Sequence, residues 1–237
     1  MSAPSNYTKL FLCVANSRKP GGHCVAGRTF NRDNYTEWLR PVSTRNTHEI
    51  SDAELLYADG TRAQLLDVIK LTLTQAEPLY HQTENHVIAA VQWEKLQEAQ
   101  WNHVTAATET TTSALWHDGL SSYHGLNDKV PEAIAHTLTN SLMLIEPQTL
   151  SLVVAQESKF MGGYDRRIRA AFTYNDTHYN FVVTDPWIEN KYFAMEDGRY
   201  DIPMSRLCLS LPEILNGNAT KLVAAVITPE NVAERRQ

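Results

Sequence analysis

Short apolar runs separated by polar, turn-forming residues mark the first third of the chain. Thr8–Ala15 is such a run and His23–Phe30 is another, with a segment rich in Lys, Pro and Gly between them. Runs of this length and composition predict buried β-strands joined by a turn. Thr36–Ser43 alternates apolar and polar side chains and predicts a third strand, and Gln64–Leu79 predicts a long fourth strand.

The pattern changes toward the middle of the chain. Trp93–Trp101 has the spacing of a helix, and Pro131 stands where a first-turn proline opens a short helix. Ser51 is followed three residues later by Glu54, a capping box that predicts a short helix within Glu49–Gly60. The middle of the chain is therefore predicted to be partly helical.

Strand patterns return in the last part of the chain. Two alternating runs between Arg166 and Pro186 flank Asn175 and Asp176, which tolerate the backbone of a tight turn, so these runs predict a β-hairpin. About five strands are predicted in each half, and few helices lie between consecutive strands, which argues against a parallel βαβ sheet.

These elements predict a mainly β protein. Its fold would be two OB-like five-stranded Greek-key barrels with a partly helical insert between them. The first barrel is predicted over residues 1–92, a helical and loop connector over 93–140, and the second barrel over 141–237. Barrels of this class bind oligonucleotides or oligosaccharides on one strand face.

Composition narrows the class of protein further. Of the 237 residues, 43% are hydrophobic and 20% are charged, as in ordinary globular proteins. No apolar run reaches the roughly 18 residues of a membrane span, and the N-terminus is a poor signal peptide. The cysteines, Cys13, Cys24 and Cys208, lack a CxxC spacing, so neither a disulfide framework nor a zinc site is expected. We expect a cytoplasmic protein with no metal, no cofactor and no membrane partner.

Charge is unevenly distributed along the chain, whose formal net charge is -6. Residues 1–46 contain seven basic and two acidic side chains, whereas residues 47–146 contain four basic and fourteen acidic ones. A basic first segment either attracts a polyanion or pairs with the acidic middle. The acidic middle also contains Trp93, Trp101 and Trp116, so it is a candidate docking element for a protein partner.

The segment Ala15–Gly27, between the first two predicted strands, is the first candidate binding element. Arg18 and Lys19 stand beside Gly21 and Gly22. Glycines let a backbone approach a ligand closely, and arginine donates paired hydrogen bonds to phosphate. The spacing is not that of a P-loop. The segment is either an anion-binding loop or a solvated hairpin turn.

The third predicted strand offers a second candidate. Trp38 and Arg40 lie two residues apart and share one strand face, a combination with which barrels stack and hold single strands. In the alternative, Trp38 belongs to the core and Arg40 extends past it to solvent. Tyr35 is an alternative stacking residue. The predicted contacts with nucleic acid or phosphate are Asn16, Ser17, Arg18, Lys19, Arg28, Trp38, Arg40 and Ser43.

Polar residues later in the chain form a candidate pocket. Tyr123–Asp128 is a loop crowded with hydrogen-bonding groups, which either completes a ligand site or caps the helix that follows. Arg167 and Arg169 share a strand face, whereas Arg166 belongs to the opposite one. Asp185 precedes a proline and is first of all a turn initiator. The candidate pocket residues are Cys24, Asn127, Asp128, Arg167, Arg169 and Asp185.

Familiar catalytic motifs are absent from the sequence. It contains no G-x-S-x-G, H-E-x-x-H or G-x-G-x-x-G, and His23, next to Cys24, belongs to the opposite strand face. The sequence therefore favours a binding module over an enzyme. Two alternatives stay open. One is an enzyme acting on nucleic acid or a nucleotide, with its site between the barrels; the other is a protein-interaction adaptor.

Six segments in one order resemble a bacterial family, the dual OB domain proteins. The segments are Cys13–Gly27, Glu37–Ser43, Leu65–Leu73, Tyr123–Pro131, Phe172–Pro186 and Leu215–Ile227. They span nearly the whole chain, although Leu215 stands where an aromatic residue is expected and His23 where a basic one is expected. The resemblance implies two OB-like barrels and nucleic-acid binding. From the residues of the first barrel we expect the ligand to be single-stranded nucleic acid or a nucleotide. The resemblance also implies a place in a bacterial defence or conflict system.

Overall fold

The computed structural model describes residues 6–31, 34–159 and 162–234. The chain divides into two units between Ala107 and Thr108, and both units are built mainly of β-strands. This division falls inside the segment 93–140 that was predicted as a connector. No helix among the described residues is long and apolar enough to cross a membrane.

The first unit contains a closed barrel of five strands. Its elements are β1 (Tyr7–Lys19), β2 (Gly22–Asn31), β3 (Asn34–Val42), β4 (Asp67–Ala76), β5 (Asn85–Ile88), β6 (Glu94–Glu98) and α1 (Trp101–Ala107). The strand order is β1-β2-β3-β5-β4, and β1 also pairs with β4, which closes the barrel. β3 and β5 are parallel and the other pairs antiparallel, so this is the Greek-key arrangement of an OB-fold.

A bulge in β1 allows one long strand to close the barrel. The register of β1 against β2 shifts between Cys13 and Ala15. Such a bulge bends a strand and increases its twist. The first half of β1 pairs with β4 and the second half with β2 only. Phe11, Leu39 and Ile69 point inward from three of the strands and are fully buried in the core of this unit.

The second unit has more strands and three short helices. Its strands are β7 (Lys129–Pro131), β8 (Leu142–Ile145), β9 (Thr149–Ser158), β10 (Tyr164–Tyr174), β11 (Thr177–Val183), β12 (Gly198–Asp201), β13 (Arg206–Ser210), β14 (Asn218–Thr220) and β15 (Leu222–Ile227). Its helices are α2 (Glu132–Ala135), α3 (Pro186–Phe193) and α4 (Pro229–Glu234).

The main sheet of the second unit repeats the OB arrangement in an opened form. Its order is β12-β9-β10-β11-β15-β13-β8, and β11–β15 is the parallel pair. Strands β9, β10, β11, β13 and β15 therefore correspond to β1, β2, β3, β4 and β5. In the first unit β1 and β4 pair with each other and close the barrel. In the second unit their counterparts, β9 and β13, pair instead with β12 and β8. The predicted mainly β fold of two OB-like barrels is confirmed.

The β10–β11 hairpin confirms the prediction made for this part of the sequence. Asn175 and Asp176 have φ values of 47° and 58°, as a two-residue type I′ turn requires. Phe172, Tyr179 and Phe181 point inward, and their ring centroids lie 5.2 to 5.5 Å apart. The residues between them along each strand therefore line the outer face of the sheet.

The helix predicted over Trp93–Trp101 is wrong. This segment contains strand β6, which pairs with β4. Ion pairs of Lys95 support a strand in this segment. Its Nζ lies 2.9 Å from Oδ1 of Asp67 in β4 and 2.9 Å from Oε1 of Glu98. The charged residues that resembled one face of a helix thus fix a strand to the sheet.

The helix predicted within Glu49–Gly60 is also wrong, although its capping box forms. The backbone N–H of Ser51 donates to Oε2 of Glu54 over 2.8 Å, but only a turn follows. The residues on either side make β-bridges, Ile50 with His23 of β2 and Tyr57 with Trp93. Pairing with distant strands therefore ends the segment after a single turn.

Candidate nucleic-acid interface

The turn between the first two strands is shorter than the sequence indicated. β1 continues to Lys19 and β2 begins at Gly22, so the turn consists of Pro20 and Gly21. Gly21 has a φ of 88°, and a Cβ atom at Gly22 would lie 2.4 Å from the carbonyl oxygen of Ile50. The turn and the close backbone packing account for both glycines without a ligand.

Other predicted contacts in this hairpin fasten it to its own unit. Asn16 Nδ2 donates to the carbonyl oxygen of Ala63 over 3.1 Å, and Asn16 Oδ1 lies 2.9 Å from Nδ1 of His23. Ser17 Oγ donates to the carbonyl oxygen of Cys24 over 3.5 Å, directly across the strand pair. The bond from Asn16 holds the hairpin against the segment that follows β3, and the other two join the strands of the hairpin to each other.

The strand-face candidates of the first unit lie side by side and are buried. The guanidinium of Arg28 lies 5.2 Å from the ring centroid of Trp38, its partner across β2 and β3, in a cation–π contact. Arg40 Nη1 lies 3.3 Å from Oε1 of Glu84, and both of these side chains are buried. Ser43 is buried and accepts a backbone hydrogen bond. Their contact with phosphate stays a prediction.

In the second unit, the loop 121–128 is closed by its own side chains. Asp128 is buried, and its carboxylate accepts hydrogen bonds from the backbone N–H of Ser122 over 2.6 Å and from the Ser122 hydroxyl over 2.5 Å. Gly125 passes directly beside that carboxylate. The same carboxylate lies 3.9 Å from Nη1 of Arg169 in β10. Sequence analysis placed Asp128 and Arg169 in one pocket, and the structure brings them together.

Asn127 fixes the far end of this loop. Its backbone has a φ of 53°, and its Nδ2 donates to the carbonyl oxygen of His178 in β11 over 3.0 Å. Its Oδ1 accepts a hydrogen bond from the backbone N–H of Gly119 over 2.7 Å. The residue that caps α2 is Pro131, without a side-chain capping bond. The loop is therefore attached to the sheet and is not the cap of the following helix.

Loop 121–128 pairs with the edge of β11 and also contacts β9 and β10. Leu126 exchanges backbone hydrogen bonds with Asn180 of β11, and Asn180 Nδ2 donates to the carbonyl oxygen of His124 over 2.9 Å. On the other side, His124 Nε2 lies 3.1 Å from the carbonyl oxygen of Ser158 at the end of β9. Because β10 runs between β9 and β11, the loop spans all three strands.

Basic side chains surround the place where the loop meets β9 and β10. Arg169 binds Glu157 through two contacts, Nε to Oε1 at 2.5 Å and Nη2 to Oε2 at 3.1 Å. Lys159 and Arg167 both contact Asp165, at 2.6 and 3.2 Å. The hydrogen bond from Lys159 lowers the pKa of the Asp165 carboxyl. One carboxylate is thus shared by two cations.

Two exposed tyrosines lie at the same end of β9. The side chains of Tyr123 and Tyr164 are 88% and 70% exposed. The ring of Tyr123 packs edge-on against His124, with centroids 4.5 Å apart, and His124 contacts Ser158. Tyr164 pairs in register with that same Ser158. These two exposed aromatic side chains flank the basic group.

A buried lysine anchors the start of the segment that carries the loop. Lys221 is fully buried; its Nζ donates to the carbonyl oxygen of His117 and lies 3.5 Å from Oδ1 of Asp118. The ammonium lies 5.5 Å from the ring centroids of Tyr179 and Phe181. Burial lowers the pKa of Lys221 to about 8 and raises that of Tyr179 to about 12.

Two candidate pocket residues lie elsewhere. Asp185 caps helix α3, where its buried carboxylate accepts hydrogen bonds from the backbone N–H groups of Trp187, Ile188 and Val226. Cys24 belongs to the hairpin of the first unit. The structure therefore groups four of the six: Asn127, Asp128, Arg167 and Arg169.

Sequence analysis missed Tyr164 and Lys159 and did not single out Tyr123 as a contact. The predicted hairpin began at Arg166, whereas β10 begins at Tyr164. An aromatic residue directly after Gly162 and Gly163 was the available signal, since a turn places such a residue at the surface.

A family model agrees with this architecture. The family model described as a dual OB-containing domain matches residues 9–226. No curated protein matches the chain. A solved structure entitled "Crystal structure of the tetrameric p202 HIN2" is similar over 94% of this chain and 93% of that chain, with 9% identity and a TM-score of 0.29. The family match covers nearly all of both units, so this chain belongs to the dual OB-containing domain family.

Proposed function

We propose that this protein binds single-stranded nucleic acid on the outer face of β9, β10 and β11. The observation that carries the proposal is the pair of exposed tyrosines, Tyr123 and Tyr164, beside Lys159 and Arg167. Aromatic rings on which bases stack, flanked by basic groups that contact the backbone, are the means by which OB-folds hold single strands.

The position of this group within the fold supports the proposal. β10 and β11 correspond to the second and third strands of an OB-fold, and ligands bind on those strands and on the connection that precedes the second. Tyr164 begins β10, the second strand of the OB arrangement, and Ser158 ends β9, the first strand. His124 keeps Tyr123 at the same point through its contact with Ser158.

The proposed site supplies both stacking and charge. Stacking of a base on an aromatic ring contributes about 1–3 kcal/mol. Lys159 and Arg167 share the carboxylate of Asp165, so this group of three carries one positive charge in excess. Neutralising phosphate releases condensed counterions, and binding should therefore weaken as salt rises.

The hairpin tip of the first unit is a second part of the proposal. Arg18 is exposed at the end of β1 and Lys19 is partly buried beside it. We assign them a supporting role in contact with phosphate. The side chain of Arg28 is already in a cation–π contact with Trp38, and that of Arg40 is in an ion pair with Glu84. These residues would therefore affect binding by shaping the face of the hairpin.

The wider setting is also a proposal. The family resemblance supports a role in a bacterial defence system, and the cysteines, which lack the spacing of a disulfide framework, support a cytoplasmic location. The acidic middle of the chain supports a protein partner, although Trp93 and Trp116 are buried and would not anchor it directly.

Fluorescence anisotropy with short labelled single strands of DNA and RNA and a labelled duplex, at low and at physiological salt, tests the proposal. We expect the single strands to bind, with affinity falling as salt rises. The double variant Tyr123→Ala/Tyr164→Ala should weaken binding about tenfold or more. Arg167→Ala should weaken all sequences equally and reduce the slope of affinity against salt by about one.

Matched controls separate the site from the rest of the surface. Tyr80→Ala removes a tyrosine that is 65% exposed in the first unit, and Arg199→Ala removes an exposed arginine from β12. Both should bind as the wild type does. Binding by none of the oligonucleotides would refute the function, whereas equal losses in Tyr80→Ala and the double variant would refute this location. Loss in Arg18→Ala/Lys19→Ala alone would move the site to the first unit.

A further inference from the structure

Two polar atoms beneath loop 121–128 lack hydrogen-bond partners. Nη1 of Arg169 and Oδ1 of Asn180 are both buried, and no described residue lies within hydrogen-bond distance of either. Arg169 as a whole is only 9% exposed. The nearest acid to Nη1, Asp128, is 3.9 Å away, beyond a hydrogen bond. Buried polar groups are almost always paired, so each of these needs an explanation.

The two atoms belong to neighbouring positions on one face of the sheet. Arg169 is opposite Val182, and Asn180 is opposite Ala171, in the β10–β11 register. Arg169 and Asn180 are therefore diagonal neighbours whose side chains share the outer face, roughly 7 Å apart at their bases. Arginine offers a donor that always carries charge, and the amide oxygen offers an acceptor.

The remaining atoms of both side chains are already used, which fixes the directions of the two free ones. Arg169 Nε and Nη2 bind Glu157, and Asn180 Nδ2 donates to the carbonyl oxygen of His124. Because Nδ2 is a donor in that contact, the free atom of Asn180 is the oxygen. The site thus presents one fixed donor beside one fixed acceptor.

We infer that Arg169 and Asn180 read a keto base, that is guanine, thymine or uracil, in a single strand bound to the second unit. These bases share a carbonyl oxygen next to a ring N–H. The carbonyl oxygen would accept from Arg169 Nη1 and the ring N–H would donate to Asn180 Oδ1. Cytosine and adenine present no carbonyl next to a ring N–H. This inference rests on the proposed function and adds base preference to it.

The loop decides when the pair can be reached. The backbone of His124 lies beside Asn180, with its carbonyl oxygen bound to Asn180 Nδ2, and its ring contacts Ser158 at the exposed surface. Turning the ring of His124 away from Ser158, with that carbonyl still bound to Asn180, would uncover the pair, and the exposed ring of Tyr123 would then stand beside the incoming base. Closed, the loop shields the two polar atoms from solvent. The same movement of the loop would therefore let Arg169 and Asn180 read the base and Tyr123 stack on it.

Anisotropy with labelled homopolymers of thymidine, deoxycytidine and deoxyadenosine tests the inference. We expect the wild type to bind oligothymidine at least about tenfold more tightly than the other two, as one well-formed pair of base contacts provides. Asn180→Ser and Arg169→Lys should each bring the three affinities to within about threefold while binding of oligodeoxyadenosine is kept. Thr173→Ala, on the same face of β10, should retain the full preference.

The outcomes distinguish this inference from the function on which it rests. Equal, salt-dependent affinity of the wild type for all three homopolymers would overturn base reading and leave nucleic-acid binding standing. Absence of binding to any of them would overturn both. A thymidine preference that survives in Asn180→Ser and Arg169→Lys would show that other residues read the base. Circular dichroism of each variant confirms that it is folded before its affinities are compared.

Discussion

Gly125 and Asp128 are in such close contact that a Cβ atom at position 125 would lie 1.9 Å from Oδ2 of Asp128. The carboxylate cannot move aside, because Ser122 holds both of its oxygens and it is buried. We predict that Gly125→Ala breaks at least one of these hydrogen bonds and opens the loop, at a cost of about 1–3 kcal/mol. Hydrogen exchange at the amides of Ser122 and Leu126 measures the opening.

Gly198→Ala is the matched control for that substitution. A Cβ atom there would lie 3.8 Å or more from its neighbours, an ordinary contact. We expect its exchange rates to equal those of the wild type. Equal protection of Ser122 in Gly125→Ala would contradict the packing that closes the loop. Loss of protection without loss of oligonucleotide binding would show that the closed loop is not needed for the proposed function.

The second prediction concerns the buried ion pair of the first unit. Removing one partner of such a pair leaves the other charge buried and uncompensated, so Arg40→Met should cost about 3–5 kcal/mol. The double variant Arg40→Met/Glu84→Gln removes both charges and should recover most of that loss. Urea unfolding of the two single variants, the double variant and the wild type measures the coupling. Additive losses would mean that Arg40 and Glu84 do not act as a pair.

The glycine at the start of β2 carries the third prediction. In Gly22→Ala the new Cβ would meet the carbonyl oxygen of Ile50, a backbone atom that β-pairing with His23 holds in place. Overpacking of this kind costs about 1–3 kcal/mol. Thermal unfolding should therefore show a lower Tm than in Gly198→Ala. An unchanged Tm would reopen the interpretation that Gly22 is there for a ligand.

Local patterns in the sequence were enough for the long strands β1 to β4 and for the β10–β11 hairpin. Asn175 and Asp176 accept positive φ, so the β10–β11 hairpin could be read directly. The strand within Trp93–Trp101 could not be predicted in this way, because the residue that Lys95 contacts, Asp67, is far away along the chain. Helical spacing and an edge strand with charged side chains differ little over so short a segment.

The candidate site was predictable where its residues are neighbours in sequence. Asn127 and Asp128 belong to one motif, and Arg167 and Arg169 to one strand, so each pair was found. The contact between Asp128 and Arg169 depends on the path of loop 121–128, which no local sequence pattern predicts. For the same reason the ion pair of Arg40 with Glu84 could not be predicted, since Glu84 lies on another segment of the chain.

The last prediction concerns the proton on Lys221. Its pKa is about 8 in the folded chain and 10.5 in the unfolded chain, so between these values the unfolded state binds more protons. The contribution of Lys221 to the free energy of unfolding must then rise with pH, by about 2 kcal/mol from pH 8 to pH 10. Asp118 opposes the shift of Lys221, and tyrosines with a raised pKa, among them Tyr179 at about 12, contribute in the opposite sense as they ionise in the unfolded chain.

Urea unfolding across this pH range, in wild type and in Lys221→Met, isolates the effect. Methionine fills a similar volume without a titrating group, so the difference in unfolding free energy between wild type and variant should increase with pH. Lys70→Met removes a lysine that is 45% exposed on β4 and should show no such slope. A flat difference for Lys221→Met would mean that this lysine keeps an ordinary pKa.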